Sequence, residues 1–406
     1  MGIIEQGTCG TCVWELDDEK TITIRPRDGE SGVMAPDEHG VWPWQTNCHV
    51  KNVVVNEGVK TGAYAGYMFA GLDECVEFDV SALDVSAATN MRHMFSWCRS
   101  LTAVRGTGKW DTSKIGDMSY MFSCCSSLRD ISSLKNWNVS QVIDISCMFN
   151  GCSLLEDITG LEKWNVSNVA DMSYIFSGCG SLKNISALAK WNVSGATDMS
   201  DMFECCRSLA DTSALAEWNV SEVTDMSGMF NGCVSLADVS GLKKWNVSGV
   251  IETSCMFYGC ASLKDVSCLS EWDMSNVCYA TAMFYGTDIS DDMFDTFAPM
   301  TCPKTGAFIG YKGCHGGRIV QLEVPEDAKR SSAFGRKCRC SRAKVLNIWT
   351  LDGKEVENAV SVHDRSFVYR KGKFVEVLEF DEDRFNECSS GIHFFMTREE
   401  AEAYIP

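Results

Sequence analysis

The chain has 406 residues, 45% hydrophobic and 22% charged, with 36 basic against 55 acidic side chains and a net charge of −19. That composition describes a globular protein long enough for two or three folding units, and it excludes a disordered or fibrous chain. No stretch approaches the ~20 consecutive apolar residues that span a bilayer, so no membrane insertion is expected.

The N-terminus, "MGIIEQGTCGTCVWELDDEK", lacks the basic start and apolar core of a signal peptide, and Gln6 stands where a myristoylation motif wants Ser or Thr. As written, the chain is expected to be cytoplasmic. Residues 1–60 read as a β-rich cap: "CVWELDD" and "KTITIRP" alternate apolar and polar residues about an acidic turn, and "VKNVVVNEGVK" is another β-branched run.

From residue 61 to about 300 one sentence of 27 residues repeats. Trp110, Trp137, Trp164, Trp191, Trp218, Trp245 and Trp272 mark it, and Cys98, Cys125, Cys152, Cys179, Cys206, Cys233 and Cys260 keep the same register. A fixed period between 20 and 50 residues marks a solenoid, in which stacked units build one continuous core. Within a repeat, "SLKNIS" reads as a short strand, and "DMSxMFxxCxSL" places Met, Phe, Cys and Leu three or four apart, as one helical or 3₁₀ face would. The Asp two residues before each Ser suits an Asx turn, and the Ser suits an N-cap. Strand, turn and short helix in this length is the leucine-rich-repeat plan.

The string "WNVSxVxDMSxMFxGCxSL", together with "GTCGTCVWELDD…TITIRP", "WPW" at 42–44 and "VVVNEGVKTG", resembles the BspA-like leucine-rich repeats of bacterial surface proteins and their cap. The resemblance covers about the first 290 residues. It implies a curved solenoid with adhesion or protein binding as its role.

The period fades after Asp291. Residues 301–317, "TCPKTGAFIGYKGCHGG", read as a Gly-rich linker. Residues 318–406 read as an α+β module with strands in "RIVQLEVP", "AKVLNIWT", "SFVYRKGKFVEVLEF" and "GIHFFMT", and a terminal helix in "TREEAEAYIP" that starts at a Thr cap. The strings "EDAKRSSAFGRKCRCSRAKVLNI", "HDRSFVYRKGKFVEV" and "FNECSSGIHFFMTREEAEAY" resemble a domain of unknown function that follows repeats in viral, phage and bacterial proteins. The fold class is therefore α+β: a leucine-rich-repeat-like solenoid between a β-rich cap and a small C-terminal domain.

Charge is unevenly divided: residues 1–300 carry 19 basic and 39 acidic side chains, whereas residues 301–406 carry 17 and 16. So negative a solenoid is a poor nucleic-acid binder. The candidate binding residues are Lys329, Arg330, Arg336, Lys337, Arg339, Arg342 and Lys344 in "KRSSAFGRKCRCSRAK", which carries no acid. They suit phosphate contact or, more plainly, a solvated or docked face.

Twenty-two cysteines suggest secretion, but most follow the repeat period, as a buried small hydrophobe would and a disulfide framework would not. Reduced, inert thiols are expected. The Asn-Val-Ser sequons at Asn138, Asn165, Asn192, Asn219 and Asn246 are likewise repeat grammar. Cys9-Gly-Thr-Cys12 has ligand spacing but no matching second pair, with Cys338-Arg-Cys340 and Cys314-His315 as loose partners, so no metal is implied. The Asp ladders, Asp117 to Asp225 and Asp130 to Asp265, lack the Gly-rich calcium grammar and read as turn residues. Catalytic candidates reduce to His363-Asp364, Cys388 and His393, of which His393 reads as structural.

The expected function is a non-enzymatic scaffold without cofactor. It presents rows of variable side chains, such as Lys114, Gln141, Asn168, Gly195, Glu222, Gly249 and Asn276, to a protein or glycan partner. The alternative is a solenoid that targets a C-terminal enzyme or phosphate-binding module; His363, Cys388 and His393 in one cleft, with the 336–344 stretch at its rim, would favour it.

Overall fold

The computed structural model describes residues 2–405 except 46–48, 104–105, 298–299, 333–335 and 387–388. The chain divides into two compact units: residues 1–250, 255–273 and 284–289, and residues 251–254, 274–283 and 290–406. Among the described residues no helix is long and apolar enough to cross a membrane.

The first unit begins with strands β1 (Ile3–Cys9), β2 (Cys12–Asp17), β3 (Thr21–Pro26), β4 (Gly32–Met34), β5 (Asn52–Val55), β6 (Val59–Thr61) and β7 (Glu77–Asp79). One sheet runs β1-β2-β3-β5-β7, antiparallel as far as β3 and parallel beyond it, and β4 pairs with β6. Cys9 and Cys12 face each other across the first hairpin turn. That turn needs Gly10: its φ is +63°, and a Cβ there would stand 2.2 Å from the Val33 carbonyl oxygen. Trp42 and Trp44 are buried and donate their indole N–H groups to Gly66 O and Met68 O at 2.8 and 2.5 Å. Trp44 stacks on Phe69 with ring centroids 5.9 Å apart, which covers the first rung of the repeat core.

From Phe69 the phenylalanines stack in an unbroken series through Phe95, Phe122, Phe149, Phe176, Phe203, Phe230 and Phe257 to Phe284, with centroids 5.4–5.9 Å apart. The tryptophans form a second series, and each indole N–H reaches a backbone carbonyl of the preceding repeat, Trp137 to Thr107 O at 2.9 Å and Trp164 to Leu134 O at 3.0 Å. The apolar body is thereby buried without an orphaned donor.

Asx turns shape the repeats, three of them in the repeat that begins at Asp117. Asp117 Oδ1 accepts from Ser119 N at 2.9 Å, Asp130 Oδ1 from Ser132 N at 2.9 Å, and Asn138 Oδ1 from Ser140 N at 3.1 Å. The D/N-x-S spelling of the sequence is thus a corner that recurs along the repeats, and Asn138 uses its side-chain oxygen within the fold.

The expected helical face at "DMSxMFxxC" is instead a series of tight turns. Met121 N, Ser123 N and Cys125 N bond back to Met118 O, Tyr120 O and Phe122 O, while Tyr120 N, Phe122 N and Cys124 N donate to Ser146, Met148 and Asn150 of the next repeat at 2.8, 2.8 and 2.6 Å. Alternate amides therefore close turns and build the stack, and neither set is left unsatisfied. A helix would spend every amide internally and leave the neighbouring rung nothing to pair with. The expected strand in "SLKNIS" shrinks to single parallel bridges, such as Asp157 with Asn184, followed by 3₁₀ turns such as Ser132–Asn136 and Ser186–Lys190.

The second unit contains α1 (Asp291–Phe297), β8 (Phe308–Cys314), β9 (Arg318–Val324), β10 (Arg330–Ser331), β11 (Cys338–Cys340), β12 (Arg342–Thr350), β13 (Asn358–Val360), β14 (Val368–Arg370), β15 (Phe374–Glu376), β16 (Ile392–Phe394) and α2 (Arg398–Ala403). Its sheets run β15-β12-β9-β8, β10-β11-β16 and β13-β14, over a core that includes Val320, Leu322, Val345, Ile348 and Phe394. Thr397 and Glu400 form a reciprocal capping box at α2.

The expected linker at 301–317 needs correction, because β8 lies inside it and pairs along its length with β9. Gly310 and Gly313 of β8 are flat spots rather than turn signals, whereas Gly316 and Gly317, at φ +69° and +64°, make the turn into β9. A Cβ on Gly310 would stand 2.5 Å from the Phe394 ring, and one on Gly313 would stand 2.7 Å from Ala401 O.

Candidate functional site

The turn segment of each repeat has two left-handed positions four residues apart. The second holds glycine at Gly71, Gly151, Gly178, Gly232, Gly259 and Gly286, the residue that adopts this conformation without strain, and a side chain at Trp97, Cys124 and Cys205. The first holds Tyr67, His93, Tyr120, Cys147, Tyr174 and Asp201 at φ 52–58°, with glycine only at Gly228 in that run. Each such side chain costs about 1–2 kcal/mol against a right-handed backbone.

Four of these six side chains are aromatic: Tyr120 and Tyr174 are exposed and Tyr67 and His93 partly so, whereas Cys147 between Tyr120 and Tyr174 is buried. Tyr67, His93 and Tyr120 stack with centroids 4.4 Å apart and planes 12° from parallel. Trp97, 49% exposed, lies under the Arg99 guanidinium at 5.1 Å, and Arg99 is paired with Asp73 at 3.2 Å. Burial, helped by Arg92, holds the His93 imidazole down to about 4. Alongside runs a carboxylate column, Asp117, Asp144, Asp171, Asp198 and Asp225, joined by parallel bridges. Burial, with Asp171 and Asp117 as neighbours, pushes the Asp144 carboxyl up. The variable positions Lys114, Gln141, Asn168, Glu222, Gly249 and Asn276 are exposed, Gly195 less so.

The ladder cysteines are buried free thiols, as expected from the sequence, and they also act as donors. Cys125, Cys152, Cys179, Cys206, Cys233 and Cys260 each point Sγ at the phenylalanine carbonyl one repeat earlier, 3.1–3.2 Å away. Burial pushes the thiols of Cys179 and Cys260 up to about 12.

In the second unit the basic stretch does not form one patch. Arg339 is buried and donates to the carbonyls of Asp381, Asp383 and Ser390, and Arg330 donates to those of Pro303, Gly306, Pro325, Glu326 and Ala328. Lys329 pairs with Glu382, Arg336 with Glu400 and Arg342 with Asp327. Lys337 stands over the Tyr404 ring at 5.8 Å, and Lys344 is half-buried on β12. Cys302 and Cys338 share a hydrogen bond that lowers the Cys302 thiol from its ordinary range and raises that of Cys338. Among the described residues no three His, Cys, Asp or Glu side chains stand together as metal ligands.

His363, Asp364 and His393 do line one cavity, of about 360 Å³, with Tyr369 and Lys312. None of the seven basic residues lines it, and Cys388 lies outside the described residues. Lys312 was missed in the sequence, where the alternation of "FIGYKGC" carried the signal: it places Lys312 on the same face as Gly310 and Cys314.

The family described as Mycoplasma protein of unknown function, DUF285, matches residues 64–187 and 181–297, and the family of unknown function DUF5758 matches residues 298–401. No curated protein matches. Among solved structures, the chain is similar to a leucine-rich repeat protein from Eubacterium ventriosum ATCC 27560, with 12% identity over 71% of this chain and 96% of that one and a TM-score of 0.28. It is also similar to a leucine rich cell surface protein from Faecalibacterium prausnitzii A2-165, with 15% identity over 74% and 99% and a TM-score of 0.28. With residues 64–297 matched, which is more than half of its length, the chain belongs to the DUF285 family.

Proposed function

We propose that the protein is a non-enzymatic binding scaffold whose solenoid offers the column of Tyr67, His93, Tyr120 and Tyr174, with Trp97 beside it, to a protein partner. One observation carries this reading: bulky aromatic side chains, exposed at Tyr120 and Tyr174 and partly exposed at Tyr67 and His93, occupy a left-handed position where glycine would be cheaper. Backbone strain retained at the surface, rather than relieved, is characteristic of recognition sites. Aromatic residues also supply most of the energy at protein interfaces. The adjacent carboxylate column favours a partner with a basic surface. A glycan fits less well, because stacking at 4.4 Å hides the ring faces on which a sugar would lie.

The test is affinity capture with the full chain, with Tyr67→Ala/Trp97→Ala/Tyr120→Ala, and with the control Gln141→Ala/Asn168→Ala. A partner held by the chain and the control but lost by the triple variant supports the reading. Equal retention by all three, or turnover of a small molecule with no partner, contradicts it.

A further inference from the structure

Lys312 is a buried lysine of the second unit. Its strand, β8, presents one face to the core, and an apolar residue belongs at that position. A lysine stands there instead, 6% exposed. Its ammonium forms no ion pair or hydrogen bond among the described residues, and the ring of Tyr369, 6.0 Å from Nζ, is its cation contact. A buried cation without a carboxylate partner is costly, and folds place one where a ligand or a reaction uses it.

Lys312 lines the cavity of about 360 Å³. That volume suits a small metabolite-sized molecule. Hydrogen-bond donors dominate the polar lining: besides Lys312 there are the hydroxyls of Ser361 and Ser390 and the imidazoles of His363 and His393. The one carboxylate, Asp364, is engaged in its own turn, where Oδ1 accepts from Ser366 N at 2.8 Å and from Ser366 Oγ at 2.6 Å. Phe367 and Tyr369 give the cavity an apolar wall.

We propose that this cavity binds a small organic oxyanion, a carboxylate or a phosphate, with the Lys312 ammonium as its counter-ion and His363 at the mouth. Burial, with the Lys337 charge nearby, holds the Lys312 amine below its usual range, and a bound oxyanion reverses that penalty by pairing the charge. The site is independent of the solenoid surface proposed above, and either stands without the other.

The experiment is calorimetric titration of the full chain with inorganic phosphate and, separately, with benzoate, at constant ionic strength in chloride. The expected result is saturable binding of one of the two, which identifies the headgroup. Lys312→Met should remove about tenfold to a hundredfold of the affinity, the worth of one charge-assisted hydrogen bond. His363→Ala, at an exposed position that does not threaten folding, should weaken the same anion as well. Absence of saturable binding with both anions overturns the proposal, as does full affinity in folded Lys312→Met. If Lys312→Met fails to fold, unchanged affinity in His363→Ala overturns it in the same way.

Discussion

The thiol of Cys152 lies 3.2 Å from the carbonyl oxygen of Phe122, one repeat earlier, and the same carbonyl accepts the turn-closing amide of Cys125 at 3.1 Å. A residue that composition reads as a small hydrophobe is thus also the donor that ties one rung to the next. From the sequence alone, serine in its place is costly, because a buried hydroxyl without a partner loses about 1–3 kcal/mol. The structure supplies the partner. Cys152→Ser is therefore expected to cost about 1 kcal/mol or less, Cys152→Ala as much or more, and Phe149→Ala about 3–5 kcal/mol. Urea unfolding of the three variants checks the order; a serine variant clearly weaker than the alanine one would remove the thiol–carbonyl bond from the description.

Buried thiols, in the ladder and beside it, also set an alkaline limit. In the folded chain Cys75, Cys179 and Cys260 are pushed up to about 12 by burial, from 9.0. Between those values the unfolded thiol is ionised and the folded one is protonated, so unfolding releases protons. Stability is then full below pH 9 and falls as pH rises towards 12, by about 1.4 kcal/mol per pH unit for each such thiol. Chemical denaturation from pH 7 to 11 should show the decline. Cys179→Ala should make it shallower, and a flat profile would mean that these thiols are not buried.

At the second left-handed position, removing a side chain and adding one should have opposite signs. Cys205, at φ 55°, pays a Cβ penalty that glycine avoids, so Cys205→Gly should stabilise by up to about 1 kcal/mol. Gly178, at φ 73°, would bring a Cβ to 3.3 Å from Gly151 Cα, and Gly178→Ala should destabilise by about 1–2 kcal/mol. Thermal melts of both variants decide it, and changes of the same sign would contradict the turn geometry.

His93 provides a local probe of the aromatic column. Burial and Arg92 lower its imidazole to about 4 from 6.5, so the folded chain keeps it neutral where the unfolded chain takes up a proton. Its contribution is complete above pH 6.5 and is lost as pH falls towards 4. The His93 proton resonances should titrate near 4, and Tyr67→Ala/Tyr120→Ala should move the midpoint upward by admitting water. A midpoint near 6.5 in the unmodified chain would show the ring to be open to solvent.

Much of this was legible because a repeat states each constraint many times. The period gave the rungs, the Asp ladders gave two of the Asx corners, and Thr397 with Glu400 gave the cap of α2, whereas the Asn of N-x-S was read only as repeat grammar and its corner emerged with the structure. The error over the turn segment has a physical cause: Met118, Met121, Phe122 and Cys125 are spaced three or four apart, which suits a helix and a run of three-residue turns equally. Only the amide bonds to the next repeat, such as Tyr120 to Ser146, separate the two. The left-handed column follows from those bonds and was invisible before them. In the C-terminal unit Gly310 and Gly313 were read as loop punctuation, because a contact with Phe394 or Ala401 is far away in sequence. The cavity needs residues 312, 363 and 393 to converge, which no local pattern expresses.

The most direct measurement for the scaffold reading is comparative capture on immobilised full chain, quantified by mass spectrometry, against Tyr67→Ala/Trp97→Ala/Tyr120→Ala at matched fold and loading. The expected result is at least one protein enriched on the unmodified chain and on Gln141→Ala/Asn168→Ala but reduced about tenfold or more on the triple variant, as removal of interface aromatic residues produces. The same proteins in the same amounts on all three surfaces would contradict it.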